Sequence, residues 1–188
     1  MVPEKGMLAQ PEHAARDAAQ ILERAWADAD GKLAIPVDVV RIARTLGVQV
    51  FDADLGQDVS GAIVKKPGSD PTILLNDSDS INRKRFSCAH EIGHFVVREG
   101  AQDYEHVDGR SPLASQGIDS SEVYANKFAA SLLMPEAEVK RRYNKNSPVV
   151  ALAVAFLVSE DAMRFRLESL GVLPSTPTPP SYRVVSSE

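Results

Sequence analysis

The chain has 188 residues, 44% of them hydrophobic and 25% charged, a balance that predicts one globular unit with a core large enough to hold a rigid site and excludes a fibrous or wholly disordered chain. Its formal net charge of -5 and pI near 5.4 argue against broad electrostatic binding of nucleic acid, which needs a domain-scale excess of Lys and Arg. The single cysteine, Cys88, excludes an internal disulfide and a cysteine-based structural zinc site, so any metal has to be held by His, Asp or Glu.

Met1 to Gln10 carries Glu4 and Lys5 and no apolar run of signal-peptide length. No segment approaches the roughly 18 apolar residues of a membrane span, so a cytoplasmic protein with no membrane partner is expected. From Pro11 to Ala27, Ala14, Ala18, Ile21, Leu22 and Ala25 recur at three- and four-residue intervals and predict an amphipathic helix. A second helix reads from Pro36, where a first-turn proline is tolerated, to Leu46, with Gly47 as its C-terminal cap. Val48 to Phe51, Val59 to Lys65 and Thr72 to Leu75 are Val- and Ile-rich runs parted by turn residues, and predict a small antiparallel sheet.

Asn76 to Ser80 offers N-caps for a long helix from about Ile81 to Arg98, broken by Gly100. A polar loop is expected to reach Gly117, then a helix from about Ser120 to Leu133, and a shorter one opened by Pro135 and ending near Tyr143. Two further short helices are expected over Pro148 to Leu157 and Ser159 to Leu170, with the look of a helix-turn-helix. With Arg164 and Arg166 its only basic residues, that segment suits packing or protein recognition better than DNA, and direct nucleic-acid binding is expected only through it if at all. The organisation expected is therefore a domain over residues 11–145, a helical segment over 148–173 and a disordered Pro- and Ser-rich tail over 174–188.

The chemistry sits in His90-Glu91-Ile92-Gly93-His94. Residues four apart on a helix share one face, so the two imidazoles can aim at one point and supply two ligands to a metal. Glu91, rotated about a third of a turn, can reach a water beside the metal and act as general base without being a ligand. That pattern predicts peptide-bond hydrolysis. Gly93 costs about 1 kcal/mol relative to Ala inside a helix and therefore points to a close approach of backbone or substrate.

A third ligand has to come from elsewhere. The extended pattern with a further His six residues after His94 is absent, since Gly100 stands there, which departs from the metzincins. Glu122 near the start of the downstream helix is a candidate, with Asn126 one turn on to hydrogen-bond a ligating His, an outline of the gluzincin arrangement. By position alone, Asp119-Ser120-Ser121-Glu122 reads equally well as a capping box in which Glu122 bonds back to its own helix start. Glu105, His106 and Asp108 compete from the intervening loop, His106 foremost, although a loop is the less rigid platform.

Other residues could touch substrate. Tyr104, His106 and Tyr124 are candidate donors to a developing oxyanion. The runs Val59 to Ile63 and Thr72 to Asn76 are candidate strands beside a cleft, and an edge strand there, with Asn76 at its end, could pair with an extended substrate. Arg83-Lys84-Arg85 and Lys140-Arg141-Arg142 read as solvated helix faces. Cys88, two positions from His90, points away from the metal and reads as a buried small residue.

Several segments in order resemble the ImmA/IrrE family of metallopeptidases, also described as IrrE N-terminal-like. They are Pro36-Val37-Asp38 with Ile42-Ala43, Leu46-Gly47-Val48, Ser60-Gly61, Arg85-Phe86, and Ala89 through His94. Glu122, Ala125 to Ala130 and Leu132-Leu133-Met134-Pro135 complete the set. The resemblance spans roughly Ala14 to Tyr143 and favours Glu122 as third ligand. It implies an α+β, gluzincin-like zinc peptidase, manganese also suiting two His and a carboxylate. The implied partner is a protein substrate, a helix-turn-helix repressor whose cleavage releases stress or mobile-element genes. A non-hydrolytic module that binds a repressor or DNA through the same fold, as in toxin-antitoxin pairs, is the alternative.

Overall fold

Residues 9–98, 103–109, 119–146 and 148–174 are described by the computed structural model, an α+β arrangement with seven helices and one four-stranded sheet among them. The expected tail lies, apart from Pro174, outside the described residues, as does the helix break at Gly100. Helix α1 (Ala14–Ala25) buries Ala14, Ala18, Ile21 and Leu22, the stripe its periodicity predicts. Helix α2 (Val39–Thr45) starts three residues after Pro36 because the Asp38 carboxylate accepts the amide of Arg41 and caps it there. Gly47 follows it at φ +78°, the left-handed position a C-terminal glycine fills.

Strands β1 (Gln49–Ala53), β2 (Val59–Lys65), β3 (Thr72–Asn76) and β4 (Tyr104–Gly109) form a sheet in the order β1-β3-β2-β4. The sheet is mixed, not antiparallel. β1 runs parallel to β3, with Phe51 opposite Leu74, whereas β2 is antiparallel to both neighbours, with Ile63 opposite Ile73 on one side and His106 on the other. Hydrophobic patterning marks a strand's faces but not its partner's direction. β2 and β3 are the inner strands, so the edges open to a further strand belong to β1 and β4, not to the two runs expected to offer one.

Helix α3 (Ile81–Val97), capped by the Ser80 hydroxyl accepting from the Arg83 amide, lies between the sheet and helix α4 (Ser120–Leu133). Both contacts need a missing side chain. A Cβ on Gly93 would stand 3.1 Å from the Cα of Ala125 and 3.2 Å from Phe128, and one on Gly61 of β2 would stand 3.3 Å from the Cβ of Ser87. Gly93 thus serves a backbone approach of α4.

Helix α5 (Glu136–Arg142) follows Pro135, and α6 (Val149–Phe156) and α7 (Glu160–Ser169) bring Ala153, Phe156, Met163 and Leu167 into the same core as Phe128, Leu132 and Ile92. Ser159 caps α7 by accepting from the Ala162 amide. Arg83, Lys84 and Arg85, expected as a solvated face, instead tie α3 to its surroundings. Arg83 donates to Ser60 on β2, Lys84 meets Asp52 on β1 at 3.0 Å, and Arg85 donates to the carbonyls of Phe156 and Leu157. Among the described residues no helix is long and apolar enough to cross a membrane.

Candidate metal centre

His90, Glu91 and His94 occupy the part of α3 that is pressed between β2 and α4, and are exposed by only 2%, 0% and 1%. One helical turn separates the two histidines, and their Nε2 atoms stand 3.0 Å apart. Two imidazole nitrogens so close must share either a proton or a cation.

Asn126 decides which nitrogen His90 presents. Its Oδ1 lies 3.1 Å from His90 Nδ1 and accepts that N–H, which leaves the Nε2 lone pair facing the cluster. Glu122, in the first turn of α4, places Oε1 3.1 Å from His94 Nε2 and Oε2 3.4 Å from His90 Nε2. The capping-box alternative is not realised, because Asp119 caps α4 through the Ser121 amide while the Glu122 carboxylate turns to the histidines.

His106 joins them from β4. Its Nε2 is 3.2 Å from Glu122 Oε1, and its ring lies 3.7 Å from that of His94, centroid to centroid. The loop expected here is thus a strand over Tyr104–Gly109, hydrogen-bonded to β2. Polar Glu105, His106 and Asp108 around a lone Val107 hide such an edge strand from a hydrophobic-period reading.

The donor atoms of His90, His94, His106 and Glu122 all lie within 4.8 Å of one another. Tetrahedral ligands at about 2.0–2.1 Å from zinc stand about 3.3–3.4 Å apart, and the separations of 3.0, 3.1 and 3.4 Å among His90, His94 and Glu122 fit that spacing. Their electrostatics agree. The close polar contacts of His90 and His94 hold the Glu122 carboxyl well below the usual carboxylate range. Burial pushes His94 down against the opposing pull of Glu122, and burial, with His94 adding to it, pushes His106 down to about 4. Neutral imidazoles beside an ionised carboxylate are the state in which these groups bind a metal.

Glu91 faces the sheet, and a Cβ on Gly61 would come within 3.5 Å of its Oε1. Gly61 thus lies in ordinary contact distance of the carboxylate, and its tighter neighbour is the Cβ of Ser87 at 3.3 Å. Its sequence signal was a lone glycine inside a Val- and Ile-rich strand.

The remaining candidates have other surroundings. Tyr124 donates its hydroxyl to Asp17 on α1 at 2.9 Å and is engaged there, not with the histidines. Asn76 is fully buried, with Nδ2 donating to the carbonyls of Gly56 and Val59 and Oδ1 accepting from Ser78, so its side chain holds the 56–59 turn and has no capacity left for substrate. Tyr104 opens β4 with the Arg98 guanidinium 5.9 Å from its ring. Cys88 is fully buried, and burial pushes its thiol up to about 12.

An α+β domain that presses a His-Glu-x-x-His helix against a sheet and completes a donor cluster with a glutamate from the next helix has the architecture of a metallopeptidase. The chain belongs to the IrrE N-terminal-like domain family of peptidases, whose sequence profile matches residues 43–168 and so takes in all four donors. No curated protein matches the chain.

Proposed function

We propose that this chain is a zinc-dependent endopeptidase that cuts a protein partner. The observation that carries the reading is the convergence of His90, His94 and Glu122 beside a buried Glu91 that is itself outside the donor set. His90, His94 and Glu122 would hold the ion, and Asn126 would fix the tautomer of His90. When bound, zinc supplies Lewis acidity toward the scissile carbonyl and lowers the pKa of water at the site.

The chain's own part is proton handling. Glu91 takes a proton from the attacking water as the C–O bond forms and returns it to the amine as the C–N bond breaks, a role worth about 10²–10⁴-fold in rate. Its burial keeps bulk solvent from competing for that proton. The substrate we favour is a helix-turn-helix repressor in the cytoplasm, with release of stress or mobile-element genes as the outcome. Support for that partner is the family membership together with the acidic net charge of -5, which disfavours direct action on nucleic acid.

Incubation of the zinc-loaded chain with a candidate helix-turn-helix repressor tests the partner. Mass spectrometry is expected to find two fragments whose masses sum to the parent plus one water. An intact parent after many turnover times, under conditions where the chain cuts a generic unfolded protein, would remove the repressor from the reading.

A further inference from the structure

A zinc site that performs hydrolysis keeps one coordination position open, whereas a site closed by four protein ligands is structural or latent. The proposed function needs only His90, His94 and Glu122 as ligands, yet the cluster has a fourth donor. His106 Nε2 lies 3.2 Å from Glu122 Oε1, the same separation that the other donors keep from that carboxylate, 3.1 and 3.4 Å. Only 18% of its side chain is exposed, and the ring lies against His94 at 3.7 Å between centroids. No described residue other than these four contributes a donor to the group.

We propose that His106 is a fourth protein ligand, so that the resting metal centre is closed and a substrate has to displace this imidazole to reach the metal. This rests on the metal-centre reading and adds its regulation. The strand carrying His106 is suited to such an exchange. β4 is one of the two outer strands of the sheet, held along one side by β2 alone, with its register shift at the Asp108–Gly109 end, two residues beyond His106. His90 and His94 lack that freedom, being fixed in a helix that is buried on two sides. The three helix-borne ligands thus form the permanent set, and the one strand-borne ligand is the one that can leave.

The closed centre makes two measurable statements about the 188-residue chain loaded with zinc or cobalt. X-ray absorption of the zinc protein should count three imidazoles in the wild type and two in His106→Gln. In the cobalt protein, acetohydroxamate should perturb the visible d–d bands of His106→Gln at concentrations about tenfold lower than it needs in the wild type, because it no longer has to expel a ligand. His106→Ala serves as a second variant, and far-UV circular dichroism confirms that each retains its fold. Two imidazoles in both proteins, or equal acetohydroxamate affinity, would overturn the fourth ligand. Loss of all metal binding on Glu122→Ala and His94→Ala is the separate check on the three-residue centre, and its failure would sink the underlying reading instead.

Discussion

Asn126 Oδ1 accepts the Nδ1 proton of His90 at 3.1 Å, so a residue outside the donor cluster determines which face of His90 is bare toward it. Orienting partners of this kind typically tune metal affinity by about 10–100-fold. Asn126→Ala is expected to weaken zinc binding by that factor, read by competition with a chromophoric chelator. Because Asn126 is exposed, thermal stability of the metal-free protein should stay within a few degrees of wild type. Asn126→Asp, which keeps the acceptor, should bind zinc nearly as tightly as wild type.

Gly93 measures how closely the two site-bearing helices pack. A valine there would drive its Cβ to 3.1 Å from the Ala125 backbone and add two methyl groups beside Phe128. Overpacking of this kind costs about 1–3 kcal/mol. Urea unfolding of Gly93→Val should show that loss, and since α3 and α4 carry the ligands, zinc affinity should fall with it. An unchanged midpoint would mean that the helices are farther apart than described.

Acid should destabilise the metal-free protein before it reaches the ordinary carboxylate range. The folded state holds His106 down to about 4 from a usual 6.5, and His94 is shifted the same way, both chiefly by burial. Between those values the unfolded chain binds more protons than the folded one, so stability is fully present above the unfolded pKa and is lost as pH falls toward 4. The Glu122 carboxyl, depressed by its contacts with His90 and His94, adds a further loss at lower pH. The urea midpoint should fall between pH 7 and pH 5, and His106→Gln should flatten part of that slope.

Tyr124 tests the separation of packing from chemistry on α4. Its hydroxyl bonds Asp17 on α1. Tyr124→Phe should cost about 1 kcal/mol of stability for the lost hydrogen bond and leave hydrolysis per bound zinc unchanged. A large fall in turnover without loss of metal would return Tyr124 to the candidates for oxyanion donor.

The parts of this site legible in the sequence are those governed by one helix. The i, i+4 spacing of His90 and His94 needs only helical geometry, and Ser80, Asp119 and Ser159 announce the helices they cap. Glu122 was half legible. Its position three after Asp119 satisfies a capping box as well as a ligand, and only the packing of α4 on α3 decides between them. His106 was already a candidate, but the strand that carries it and the parallel pairing of β1 were hidden, because both depend on which strands become neighbours in the sheet. Arg83, Lys84 and Arg85 misled for a related reason, since a run of charge looks solvated until the surfaces around it are assembled.

The central claim is that a metal held by His90, His94 and Glu122 works with Glu91 as base. Glu91→Gln addresses it most directly, with bound zinc counted by elemental analysis and peptide-bond cleavage by the same preparation measured by mass spectrometry. The account predicts one zinc per chain in both proteins and cleavage reduced at least about 10²-fold in the variant. Cleavage retained by a zinc-loaded Glu91→Gln protein would contradict it.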